Sequence, residues 1–345
     1  MSFRLARLEI RKKELRGSTR SGRVLDKPQE KGRGRRFTAM KLYVGVTDND
    51  WYRFLSQLPN ADEVNFWQPG GKQRFQSLRP GELFVFKLHS PLNFIVGGGF
   101  FTHSSILPLS LAWEAFGEKN GTSTFAEMRS KILKYRGSDI HAREDFEIGC
   151  ILLQQPFFLP RNAWIPVPRD FSLNIVQGKT YDAESGAGKD LWDAINVRIA
   201  SQPSLQFQIG EGKVMWRDAS IRQRLGQGAF RILVTDTYHR HCAITGEKAL
   251  PALEAAHIKP VTESGQHRVD NGLLFRSDIH RLFDAGYVTV TPDYKFRASG
   301  RLKGDFNNGE DYFQLSGSPI WLPRESYNRP NREFLEWHSD TKFLR

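Results

Sequence analysis

Two short apolar runs, separated by a polar loop and followed at once by a helix, leave few folding options for the chain between residues 253 and 286. Leu253-Glu-Ala-Ala-His-Ile-Lys-Pro260 is an apolar run with one histidine near its end. After the polar stretch 262–270 comes Asn271-Gly-Leu-Leu-Phe275, a second run of strand length. Ser277 offers an N-cap to a helix that carries His280, and Gly286 stops it. A hairpin followed by a helix brings His257, Asn271 and His280 to one edge.

Phosphodiester hydrolysis needs those side-chain types together. A neutral imidazole takes a proton from water near neutral pH, worth typically ~10²–10⁴-fold, and a divalent ion offsets charge on the phosphate and the leaving oxygen. On this reading His257 is the general base, Asn271 fixes the loop and orients the base imidazole, and His280 ligates the metal from the helix. Arg276 and Arg281 are expected to reach phosphate oxygens. Asp284 lies one turn after His280, but Phe283-Asp-Ala-Gly286 reads as a helix ending, which favours a structural role. Singly, each residue has a plainer explanation: a strand histidine is usually a hydrogen-bonded core or surface group, and an Asn before Gly is usually a turn. Their order on strand, loop and helix favours the chemical reading.

Cys242-Ala-Ile-Thr-Gly246, Leu253 to Pro260 and Asn271 to Asp284 together resemble the motif of the HNH endonucleases, whose fold is the ββα-metal unit. The resemblance covers residues 215–300 and implies a one-metal nuclease acting on double-stranded DNA with Mg²⁺, Mn²⁺ or another divalent cation. Many members place an acid or a histidine just before the base, where this chain has Ala256. Glu254 shares the strand face of Ala256 by period-two alternation and is expected to stand in as a metal ligand beside His280. The cysteine pairs that hold a structural zinc in some relatives are absent, and Cys242 with His239 and His241 does not replace them.

At 345 residues the chain exceeds one average core, so two domains are expected. A 39% hydrophobic and 12% aromatic content excludes disorder throughout, and no run approaches the ~18 apolar residues of a membrane span. Cys150 and Cys242 cannot make a disulfide framework, and no apolar leader is visible, so a cytoplasmic setting is expected. Of the net charge of +12, residues 1–39 supply +9, with 13 Lys and Arg against four acids. That stretch reads either as a basic arm that releases counterions from DNA or as a disordered extension ahead of Met40. Residues 40–176 read as a β-rich recognition domain, 177–213 as a linker with a helix, and 214–345 as the nuclease domain. Gly188-Lys189 is followed by Asp190, and Ala183 stands where a phosphate loop needs glycine, so a P-loop is excluded.

In the first domain, Leu83–Leu88 and Asn93–Val96 read as paired strands, and Gly97-Gly-Gly99 marks a point where a ligand or another backbone comes close. Helices are expected over 110–116 and 124–135, and a capped amphipathic helix over 331–338 with His338 on its surface. The turn Phe66-Trp-Gln-Pro-Gly70 and Ile95 to Phe101 are loosely similar to the EVE branch of the PUA superfamily, a β-barrel class that includes readers of modified bases. The expected fold is therefore α+β, a PUA/EVE-like β-barrel followed by a ββα-metal nuclease. The second resemblance implies an aromatic pocket for a flipped base, with Trp67, Trp113 and Phe101 as walls and Ser104 or Ser105 as polar contacts. Joined, the two domains imply a modification-dependent restriction endonuclease for 5-methyl- or 5-hydroxymethylcytosine, working as a homodimer or paired on DNA. An HNH nuclease of phage or mobile-element type acting on unmodified DNA, and a non-catalytic nucleic-acid reader, remain as alternatives.

Overall fold

The computed structural model describes residues 39–136, 144–172, 174–201 and 225–345, which belong to one compact unit. The basic stretch 1–38 lies outside the described residues.

A seven-stranded sheet organises the first half. Its strands are β1 (Lys41–Thr47), β2 (Glu63–Gln68), β3 (Leu83–Leu88), β4 (Phe94–Pro108), β5 (Glu147–Phe158), β6 (Ile165–Pro166) and β7 (Gly178–Asp182). They run in the order β2-β5-β4-β3-β1-β7, with β6 also on β4; β1 and β3 are parallel, and the other pairs antiparallel. Strict alternation along β1 and β3 sends Leu42, Val44, Leu83 and Val85 into one core layer and Tyr43, Phe84, Phe86 and Leu88 into the other. A sheet that is apolar on both faces needs cover on both. Helix α4 (Gly186–Ala200) covers the first through Leu191, Ile195 and Ile199, one turn apart.

Two expectations are corrected here. Among the described residues the strand ladder does not close: β2 and β7 are its two ends, and the expected PUA/EVE-like barrel is an open sheet covered on both sides. Within the stretch expected as a linker with a helix, residues 178–200 supply β7 and α4 to that sheet, because their apolar residues recur at helical spacing and find an uncovered face. The Gly97-Gly-Gly99 run serves backbone packing. A Cβ on Gly97 would lie 2.2 Å from the carbonyl oxygen of Phe157, and one on Gly98 2.7 Å from that of Phe84.

Helices α1 (Asn49–Leu55), α2 (Leu109–Phe116) and α3 (Phe125–Arg136) pack on the second layer. That layer is continuous with the C-terminal half through α5 (Gln227–Thr237), whose Ala229, Phe230, Ile232 and Val234 share one apolar cluster with Phe116 and with Leu273 and Leu274. The Gly226-Gln-Gly228 sequence starts this helix, with Gly226 at the N-cap. Buried Glu63, at the head of β2, accepts the N–H groups of Gly228 (2.8 Å) and Ala229 (2.9 Å), so a carboxylate sits at the positive end of α5. A Cβ at Gly226 would lie 2.2 Å from that carboxyl carbon, and one at Gly228 2.5 Å from the Ala115 carbonyl oxygen, so only glycine admits this approach.

The C-terminal half holds the hairpin β8 (Leu253–His257) and β9 (Gly272–Arg276), then α6 (Ser277–Asp284), a second hairpin β10 (Val288–Val290) and β11 (Phe296–Ala298), the short helices α7 (Arg301–Phe306) and α8 (Glu310–Phe313), and α9 (Arg332–Thr341). Ser277 is inside the first turn of α6 and its side chain makes no capping bond; Asp278 supplies the acid of that turn and is held by Arg276. Asn331 caps α9 as expected, its side chain accepting the Glu333 N–H. His338 is not a surface residue. It is 2% exposed, stacks on Phe283 with centroids 3.6 Å apart, and bonds the Thr289 hydroxyl and the Phe283 carbonyl. The tilt of α9 across β10 turns this polar group inward, where both ring nitrogens find partners. Among the described residues no helix is long and apolar enough to cross a membrane.

Candidate active site

The β8–β9 hairpin pairs His257 opposite Gly272, and the 258–271 loop returns the chain to that point. Asn271, fully buried, ties the loop together: its Oδ1 accepts the Lys259 N–H, and its Nδ2 donates to the carbonyls of Lys259 and Gln266, each at 2.9 Å. Half of its expected role is therefore met by geometry and half is not, since its side chain bonds the loop backbone and not the imidazole. The ring of His257 is held by two other groups. It lies flat on Phe230 of α5, centroids 3.9 Å apart and planes 12° apart, and its Nε2 is 3.0 Å from Nδ1 of His267. Burial first, and then the neighbouring His267 and His280, push the His257 pKa down to about 4. At neutral pH it is an uncharged imidazole, the state a general base requires.

His280 comes up from α6 on the other side of the same cleft. Its Nδ1 is 2.6 Å from Glu254 Oε2, and its Nε2 is 3.4 Å from Asp284 Oδ2. The cleft, about 890 Å³, is lined by His257, His267, Glu254, His280 and Asp284 together with Phe230, Arg231 and Lys342. Asp284 thus ends α6 and borders the cleft as well. Burial raises its pKa, opposed by His280.

The structure does not gather every expected residue here. Arg276 points its guanidinium at Asp278 in a two-pronged pair to which the Tyr312 hydroxyl adds a bond, and it does not line the cleft. Arg281 is exposed on α6, also off the cleft. Arg231, paired with Glu114 at 2.7 Å, and Lys342 are the cations on the rim. Neither had a local sequence signal. His267 did, as a second histidine within the polar loop; Phe230 sits on a helix that only folding brings beneath the strand.

The implied metal has donors of the right kind. Among the described residues no three His, Cys, Asp or Glu side chains are gathered into a ready-made metal group. One imidazole and one carboxylate in contact, with a second carboxylate on the flank, offer nitrogen and oxygen donors from one side and leave the cleft side for water and phosphate. Neither cysteine competes for such a role: both are buried, and burial pushes the Cys150 thiol up to about 12.

The second large cavity, about 770 Å³, opens on the sheet half, lined by Tyr43, Trp51, Phe66, Trp67, Phe75 and Tyr135 with Gln68, Lys72 and Arg74 at its polar edge. Of the three expected walls it contains Trp67 alone. The Trp67 indole N–H donates to the Asn120 carbonyl at 3.0 Å, which fixes its plane. Phe101 is buried behind Phe75, and Trp113 packs edge-on against Phe125; neither borders the cavity. Ser104 and Ser105 are buried within β4 and do not reach it.

Residues 242–291, which span the β8–β9 hairpin, the loop and α6, match the family HNH_2, "HNH endonuclease". That match covers the ββα element and both of its histidines, His257 and His280. Among solved structures, the "Modification dependent TagI restriction endonuclease" is 11% identical to this chain, covering 86% of this chain and 80% of that one, with a TM-score of 0.24. A likeness that low carries no weight for the fold or the activity. No curated protein is similar enough to count as a relative.

Proposed function

We propose that the protein is a divalent-metal-dependent DNA endonuclease whose cutting is governed by a modified cytosine read in the sheet half. The observation that supports the hydrolytic part is the cleft in which an uncharged His257, held by Phe230 and His267, faces His280 and Glu254. Water entering that cleft meets a nitrogen base on one wall and carboxylate and imidazole donors on the other. His280 and Glu254, with Asp284 beside them, would hold Mg²⁺ or Mn²⁺, which when bound offsets negative charge on the phosphate and the leaving oxygen. Asn271 keeps the base at its station by locking the loop that follows it, at Lys259 and Gln266. Lys342 and Arg231 at the rim are placed for the phosphates of a DNA strand.

The aromatic cavity supports the recognition part. A flipped base gains stacking on rings of this kind, at an unstacking cost of a few kcal/mol, and finds amide and cationic groups at the edge for its polar atoms. The same cavity would accept an unmodified base, so an HNH nuclease acting on ordinary DNA is the second reading. The experiment that separates them is cleavage of matched plasmids carrying cytosine, 5-methylcytosine or 5-hydroxymethylcytosine with Mg²⁺, Mn²⁺ or chelator. Cutting confined to modified plasmid, lost in His257→Ala and impaired in Tyr135→Ala, supports the whole proposal. Equal cutting of all plasmids removes the recognition half, and metal-independent or His257-independent cutting removes the hydrolytic half. Cooperative dependence on enzyme concentration or on two sites per plasmid is expected, since a one-metal site cuts one strand at a time.

A further inference from the structure

Of the two nitrogens on His257, one is already engaged, and its partner is the imidazole of His267. His267 lies in the loop that Asn271 secures. The Gln266 carbonyl accepts from Asn271 Nδ2, and the His267 carbonyl accepts the N–H of Leu225, so its backbone is fixed on both sides. Its ring meets His257 edge-on, centroids 5.0 Å apart, with Nδ1 3.0 Å from His257 Nε2, and it also borders Phe230 at 5.8 Å. Phe230 sets the plane of the base, and rotation within that plane is what a hydrogen bond at Nε2 prevents.

We propose that His267 is a positioning residue that selects the tautomer of His257: its Nδ1 accepts the Nε2–H of His257, leaving Nδ1 of His257 as the unprotonated atom that attacks a water proton. This rests on the hydrolytic reading of the cleft. In the step, an O–H bond of water breaks and its proton goes to His257 Nδ1. The water oxygen bonds phosphorus, and the P–O ester bond breaks with its electron pair on the leaving oxygen. The imidazolium so formed keeps its Nε2–H bond to His267 Nδ1, so the ring holds its orientation as its charge changes. With the bond reversed, His257 would carry its proton on Nδ1 and could not act from that atom.

Ring-nitrogen NMR of the full chain, free of DNA, reads the tautomer directly, and His267→Asn and His267→Leu test the bond kinetically. Asn keeps an acceptor oxygen near the position of Nδ1; Leu does not. We expect His257 to be protonated on Nε2 in the wild type and mixed in His267→Leu. That variant should lose ~10–100-fold in kcat with KM for DNA unchanged, and His267→Asn should recover most of the loss, as for other groups that orient a functional histidine. A wild-type His257 protonated on Nδ1, full activity in His267→Leu, or equal losses in the Leu and Asn variants overturns the inference. Should His267→Leu not fold, the wild-type tautomer and the Asn variant decide. An inactive His257→Ala beside a fully active His267→Leu refutes the tautomer role alone, whereas an active His257→Ala refutes the hydrolytic reading beneath it.

Discussion

The imidazole of His257 lies flat on the ring of Phe230, 3.9 Å between centroids, although one sits on a strand of the hairpin and the other on the helix that joins the two halves. Glu63, from the far sheet, holds the first turn of that same helix. The ring of His257 is therefore seated on a helix whose first turn is anchored by the sheet half.

Phe230→Ala should cost ~3–5 kcal/mol of stability, since a fully buried ring leaves a cavity at the junction of both halves. Phe230→Leu should cost less, yet slow cleavage, because an aliphatic group fills space without fixing the plane of the imidazole. Urea denaturation beside initial cleavage rates separates the two effects.

The depressed pKa of His257 predicts cleavage that does not fall through the ordinary histidine range. Protonation removes the base, so the rate should hold as pH drops past ~6.5 and be lost only as pH approaches about 4. Single-turnover rates against pH check this; an acid limb centred near ~6.5 would contradict the burial of the ring.

Glu63→Gln keeps the shape of the cap and removes its charge, which faces both the α5 amides and Lys119 at 3.2 Å. A charge-assisted pair of bonds is weakened, and a loss of ~1–3 kcal/mol is expected by chemical denaturation. Glu63 does not line the cleft, although its charge acts on His267, so a fall in kcat with unchanged DNA affinity would show that the junction is coupled to the His257–His267 pair.

His338 predicts acid sensitivity of the fold itself. Its pKa is pushed down to about 4, by burial foremost, while the unfolded chain takes a proton near the ordinary ~6.5. The unfolded state then binds more protons across that window, so the His338 contribution is intact above it and falls as pH drops through it, by ~3 kcal/mol in all. Urea midpoints at pH 7 and pH 5 should differ more in the wild type than in His338→Gln.

Short-range patterns carried much of the architecture. The β3–β4 pairing, the α2 and α3 helices, the β8–β9 hairpin and the Asn331 cap are all visible as alternation, helical spacing or a capping residue, signals that act within a few positions of chain. His257 and His280 were legible for the same reason, each lying at the end of a locally recognisable element. Arg276 was not, because its partner Asp278 is two residues away and no rule of spacing says that an arginine will prefer it to a phosphate. Trp113 and Phe101 were misplaced as pocket walls because an aromatic residue signals burial without saying which side of a sheet or helix it enters.

From its letters alone the chain specified strands, helices, the β8–β9 hairpin and the helix that follows it, and the histidines they carry, since these depend on neighbours along the backbone. Which groups surround each of them was settled only by the packing of distant segments: Glu63 at the head of α5, Phe230 beneath His257, His267 at its Nε2, and an open sheet where a barrel was expected. Burial and charge at a side chain are sums over whatever the fold brings near it, and no local stretch of sequence contains that sum.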